Sequence, residues 1–205
     1  KWIYLFDTWE PNWKGLERSL NRANNVQALF LSSLQAARHF EGRFPFPVTW
    51  LPQAANSKEF NPIASDWTKK KNIVLNIGRS NKLLKSFFEK FAEKHGYEYI
   101  RPLIYGDVNF ERREDLLEVV YKSKIVVVHP RDLDSPEISG CVSTLTARYF
   151  EAYQSAGVVC GIKPRSDEFD KALVGMPFVS YEDPDSFEAK LLNAVEQPEK
   201  WIDAS

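Results

Sequence analysis

The chain has 205 residues, 43% of them hydrophobic and 27% charged, the balance of a folded globular protein, which excludes disorder as its main state. Its 27 Lys and Arg stand against 28 Asp and Glu, a formal net charge of -1, so no nucleic-acid partner is expected. Two scattered cysteines, Cys141 and Cys160, and three histidines show no metal-ligand spacing and fit a reducing, cytoplasmic setting, with no metal or other cofactor.

The first apolar run, Trp2 to Phe6, reads as a strand that stops at Asp7, and not as a signal peptide. The opening on Lys1, without a Met, suggests that the natural N-terminus lies upstream. Leu16, Leu20 and Ala23 have helical spacing, and Ala28 to Leu31 reads as a second strand. Ser32 or Ser33 then caps a helix through Ala36, Ala37 and Phe40, because a hydroxyl can accept the early backbone N–H groups. Val48 to Leu51 is a short strand closed by Pro52. Residues 62–72 are polar and charged and read as a linker. Its Lys69-Lys70-Lys71 run is the only dense cationic stretch, and such runs are usually solvated.

The rhythm restarts with a strand at Ile73 to Ile77, ended by Gly78. Leu83, Leu84, Phe87, Phe88 and Phe91 give a helix that stops before His95-Gly96. Tyr97 to Tyr105 reads as a strand, and Leu116, Leu117, Val120 and Tyr121 as a helix. Ile125 to Val128 is a purely apolar run, and like every other such run it falls far short of the ~20 residues that span a membrane. It reads as a parallel strand buried on both faces. A loop to Cys141 leads into a helix predicted from Ser143 to Ala156, with Gly157 as its C-terminal cap. Then come a strand at 158–162, a short helix at 167–173, a strand at 178–181 and a helix at 186–195. This alternation predicts an α/β fold with mostly parallel sheet, divided into 1–61, the linker 62–72 and a doubly wound domain at 73–205.

Ligands of such sheets sit beyond the carboxyl ends of the strands. The residues expected there are Asp7, Ser32-Ser33, Gly78-Arg79-Ser80, Gly106-Asp107, His129-Pro130-Arg131 and Gly161-Ile162-Lys163. In Gly78-Arg79-Ser80-Asn81-Lys82 the glycine lets a ligand approach the backbone, and Arg79 and Lys82 can clasp a diphosphate. The segment matches neither the Walker loop nor G-x-G-x-x-G, and the alternative is a plain strand-to-helix turn. Gly140 to Thr144 opens the predicted long helix, whose free N–H groups suit an anion, although Ser143 or Thr144 can simply cap it. Glu151 falls near the same helical face as Ser143, in an apolar stretch that asks for a partner or for ligand hydroxyls. An ion pair with Arg148 is the alternative. His39, His95 and His129 share no motif; His39 reads as packing and His95 as a helix end.

These segments, in their order, resemble the GT-B glycosyltransferases of the retaining "group 1" class, with the spore-maturation (CgeB-like) subgroup nearest in flavour. The segments are Ala28-Leu29-Phe30-Leu31-Ser32-Ser33, Leu51-Pro52-Gln53-Ala54-Ala55 with Phe60, Leu75-Asn76-Ile77-Gly78-Arg79, and Arg148-Tyr149-Phe150-Glu151-Ala152 with Ala156-Gly157-Val158-Val159. The resemblance implies a GT-B fold: a Rossmann-like donor-binding domain at 73–205 and the C-terminal part of a Rossmann-like acceptor domain at 1–61. It implies transfer of a sugar from a nucleotide diphosphate sugar to an acceptor hydroxyl, the acceptor itself being unknown. Arg79 and Lys82 would hold the diphosphate, Ser143-Thr144 would meet phosphate, and Glu151 would bind ribose hydroxyls. Pro130 and Arg131 would lie near the base, and Asp7 near the reaction centre. No metal is implied, since no Asp-x-Asp follows a core strand; Asp132-Leu133-Asp134 lies in a loop. Two departures stand out. The family's E-x7-E pair meets Ser143 in place of its first Glu, with Glu137 as a substitute. The acceptor domain would also begin well before Lys1, so the chain reads as a fragment. A non-catalytic nucleotide-binding module of a larger protein is the alternative function.

Overall fold

Short apolar strands cannot stand alone, and here they pair in two parallel sheets, one of three strands and one of five. The structure, a computed structural model, describes residues 1–56, 66–78, 81–101 and 113–203. In chain order the strands are β1 (Trp2–Leu5), β2 (Ala28–Leu31), β3 (Val48–Trp50), β4 (Lys71–Asn76), β5 (Glu98–Ile100), β6 (Ser123–Val128), β7 (Val158–Gly161) and β8 (Val179–Ser180). The α-helices are α1 (Trp13–Asn21), α2 (Leu34–Phe40), α3 (Lys82–His95), α4 (Arg113–Lys122), α5 (Pro136–Ser139), α6 (Ala147–Tyr153), α7 (Glu168–Ala172), α8 (Pro184–Glu196) and α9 (Glu199–Ile202). Contacts gather these into two compact units. The first comprises Lys1–Gln53, Pro130–Thr146 and Pro164–Val174, and the second Ala54–His129, Ala147–Lys163 and Gly175–Ser205. Two stretches of the region 73–205 thus pack with the N-terminal unit.

In the first unit the strands run in the order β1-β2-β3, with Tyr4 beside Phe30 and Phe30 beside Thr49. Side chains alternate across a strand, so Ile3, Leu5, Leu29, Leu31, Val48 and Trp50 share one face. They pack with Leu16 and Leu20 of α1 and with Ala36, Ala37 and Phe40 of α2. Ser33 caps α2 as expected, its hydroxyl accepting from the Ala36 N–H at 3.3 Å. The opposite face carries Trp2, Tyr4 and Phe6, which are 77%, 41% and 65% exposed.

In the second unit the order is β5-β4-β6-β7-β8, which puts the Ile125–Val128 run at the centre, fully buried. Asn81 caps α3 by accepting from the Leu83 and Leu84 N–H groups, and Gly96 ends it in the left-handed conformation at φ 69°. Phe88, Phe91 and Phe187 are buried in this unit. No helix among the described residues is long and apolar enough to cross a membrane.

Four local expectations need correction. The helix predicted from Ser143 begins at Ala147 and ends at Tyr153. Gly157 is not its cap: Ala156 holds the positive φ, at 51°. Gly157 serves a close approach, since a Cβ there would stand 3.0 Å from the Ser123 carbonyl oxygen. The strand predicted at 97–105 is β5 at Glu98–Ile100, with residues 102–110 outside the described set. The expected linker ends early, because Lys71 already opens β4 and Lys70 is buried. Lys70 Nζ donates to the carbonyls of Ser155 at 2.6 Å, Tyr121 at 2.8 Å and Ser123 at 3.3 Å. Its burial lowers its pKa from 10.5 to about 8.

Candidate functional site

The carboxyl edge of the five-stranded sheet carries the second unit's candidate residues. Gly78 follows β4 with φ 102°, a backbone state that a side chain rarely adopts. Arg148 passes beside it: a Cβ on Gly78 would stand 3.9 Å from the Arg148 Nε. Arg148 and Glu151 occupy successive turns of α6, and the guanidinium donates to the Glu151 carboxylate. Glu151 keeps its second oxygen outside that bond, with its side chain 13% exposed. Two tyrosines on the buried side of α6 fix this pair in place. The Tyr149 hydroxyl donates to the Ile162 carbonyl at 2.7 Å, and the Tyr153 hydroxyl to the Pro177 carbonyl at 2.8 Å. Burial pushes the Tyr153 phenol up, which keeps it protonated as a donor. Lys82 is exposed at the first position of α3, where Asn81 already satisfies two of the free N–H groups. Arg79 and Ser80 lie outside the described residues, as do Phe60 and Gly106-Asp107.

The other candidates belong to the first unit. Asp7 follows β1 with φ 56°, a left-handed conformation that costs a side chain energy. Pro130 precedes a 3-10 turn at Arg131–Leu133 that presents Arg131 to both Trp9 and Asp7. The guanidinium carbon lies 5.0 Å from the Trp9 ring centre, and Nη1 lies 3.8 Å from the Asp7 carboxylate. The structure therefore brings Asp7 and Arg131 together. Glu137 stands exposed on α5.

Ser143 and Thr144 differ most from expectation. They precede α6 instead of opening it, so the face shared with Glu151 does not exist. Both are buried and committed to the fold. The Ser143 N–H donates to Gln35 Oε1 at 2.7 Å, and its hydroxyl accepts from the Arg165 N–H at 2.9 Å. The Thr144 hydroxyl donates to Glu168 Oε2 at 2.7 Å.

Glu168 is the residue that the sequence concealed. It is fully buried and accepts from the N–H groups of Leu34 and Leu145, both at 2.6 Å. Burial raises its pKa, against the lowering pull of these donors. An acid in the first turn of a short helix carries no sign of such a role, because acids are common there for the helix dipole alone. Asp132 was noted only as part of a loop. Its side chain is 1% exposed and pairs with Arg165 at 2.8 Å.

No protein-family model matches the chain, and no curated protein matches its sequence. Among solved structures, an alpha1,3-fucosyltransferase aligns over 99% of this chain and 80% of its own, at 9% identity and a TM-score of 0.50. At that identity the likeness speaks for the fold alone. It agrees with the α/β, GT-B type architecture read from the sequence, and with nothing narrower.

Proposed function

We propose that the chain is a glycosyltransferase that takes a sugar from a nucleotide diphosphate donor and passes it to an acceptor hydroxyl. The observation that carries this reading is the Arg148–Glu151 pair, held on α6 beside the glycine that ends β4. A carboxylate offers acceptor oxygens to ribose hydroxyls, and the neighbouring guanidinium suits a phosphate oxygen. Gly78 leaves its backbone open to the diphosphate, with Arg79 and Lys82 as further cations. In the transfer, the bond between the anomeric carbon and the diphosphate oxygen breaks. A bond to the acceptor oxygen forms on the face that the diphosphate leaves, and the acceptor proton passes to the departing diphosphate oxygen. Positive side chains would take up the charge of the leaving diphosphate, so the reading is metal-independent, with retained configuration by resemblance.

A second reading, a nucleotide-binding module without transfer, is favoured by Ser143. It stands where the resembling family has a carboxylate, and its own bonds hold the fold. Calorimetric titration with uridine and guanosine diphosphates tests the site. One of them should bind, and Glu151→Gln should weaken it about tenfold, the value of one charged hydrogen bond, with melting unchanged. Lost stability with unchanged affinity would reduce Glu151 to the partner of Arg148. Binding without donor hydrolysis or transfer would select the second reading.

A further inference from the structure

On the helical side of the first unit, α1 and α2 flank a cleft of about 610 Å³, within the range of ligand pockets. Glu10, Trp13, Lys14, Glu17, His39 and Arg43 line it. The Trp13 and His39 rings stack at 4.1 Å, giving an aromatic wall. That wall is fixed without a ligand. The Trp13 indole donates to the Thr8 carbonyl at 3.1 Å, and Arg43 Nε to the His39 carbonyl at 2.6 Å. Glu10 Oε2 accepts from the Cys141 N–H at 2.7 Å, and Glu17 Oε1 lies 3.5 Å from Arg43 Nη1. The Cys141 thiol also hydrogen-bonds Glu10, whereas the second oxygen of Glu17 and the Lys14 ammonium have no described partner and remain available to a ligand.

The chemistry of the rim narrows what fits. Two carboxylates face two cations, and burial together with the Arg43 charge holds His39 below the ordinary imidazole value. The cleft therefore carries no net charge near neutral pH. An anion gains no field there, and an apolar ligand would strip water from four charged groups without replacing it. A neutral polyhydroxylated ligand meets every group at once. Its hydroxyls donate to the carboxylates and accept from the ammonium and guanidinium, while its C–H face lies on the aromatic wall. We propose that this cleft binds a neutral oligosaccharide, independently of the nucleotide.

The test is binding of the full chain to an immobilised array of neutral oligosaccharides, beside sialylated and sulfated ones. Binding to some neutral members should fall at least tenfold in Glu17→Gln and in Arg43→Ala, both solvent-facing changes, and should persist in Lys85→Ala on α3. Circular dichroism of each variant confirms folding. No neutral member bound, binding confined to the anionic glycans, or affinity unchanged in both variants would each overturn the proposal. Loss of nucleotide binding with saccharide binding intact would sink the donor reading alone, and the reverse result would sink only this one.

Discussion

The two sheets are both parallel, yet one is buried on both faces and the other on one. The cause lies in the direction in which each grows. In the first unit every crossover moves the same way, from β1 to β2 to β3. Crossovers of one hand moving one way put their helices on one side. In the second unit β4 lies between β5 and β6, so the chain steps one way through α3 and back the other way through α4. Helices then cover both sides. The residues follow: β6 is an almost continuous apolar run, whereas β1 alternates, with its aromatic residues on the bare side.

A second contrast concerns how each unit holds its separate stretches of chain. The first uses a buried carboxylate that collects N–H donors, and the second a buried ammonium that collects carbonyls. Glu168 gathers donors from Leu34, at the start of α2, and from Thr144 and Leu145. Its removal carries the largest expected effect. Glu168→Ala leaves three buried donors without acceptors, at roughly 1–3 kcal/mol each, so a loss of about 3 kcal/mol or more is expected in urea unfolding. A loss under about 1 kcal/mol would mean that water replaces the carboxylate, and the carboxylate side of the contrast would fall.

Lys70 is the counterpart, bonded to carbonyls at the end of α4 and to Ser155 past the end of α6. Lys70→Met removes those donors, and a loss of about 2 kcal/mol is expected at neutral pH. The pH dependence identifies the cause. The folded pKa is about 8 against an ordinary 10.5, so between those values the unfolded chain binds more protons. Stability should therefore rise with pH in that window in the wild type, and the Lys70 contribution to the slope should vanish in Lys70→Met. Equal slopes between pH 8 and 9.5 would show that burial does not burden the ammonium.

Neither anchor was legible in the sequence, and the reason is physical. Lys70 sits in a lysine run, and Glu168 in an acidic helix start. Both patterns are ordinary at surfaces, and what distinguishes them is contact with residues far along the chain. Leu34 and Glu168 are 134 positions apart, and Lys70 and Ser155 are 85 apart. Local features were legible because their causes are local. The Ser33 cap, the Gly96 stop and the buried β6 each depend on a few adjoining residues. The start of α6 was misread because Ser143 and Thr144 have the side chains of caps, but tertiary bonds to Gln35, Arg165 and Glu168 claim them first. Of the candidate residues, the ion pair of Arg148 with Glu151, the alternative to a ligand role for Glu151, was legible from helical spacing, whereas the nearness of Arg131 to Asp7 was not.

The smallest expected effect tests the bare face itself. Phe6 is 65% exposed, and with Trp2 and Tyr4 it lies on the side of the first sheet away from α1 and α2. A side chain that stays in contact with water gains little on folding, so Phe6→Ser should change stability by less than about 0.5 kcal/mol. The matched change in the second sheet, Ile125→Val, removes one methylene from a fully buried position and should cost about 0.5–1.5 kcal/mol. The larger truncation would thus have the smaller effect, an inversion that only the difference in coverage explains. Paired urea titrations of the two variants measure it. A cost for Phe6→Ser above that for Ile125→Val would mean that the aromatic face is covered in solution, and the contrast between the two sheets would no longer hold.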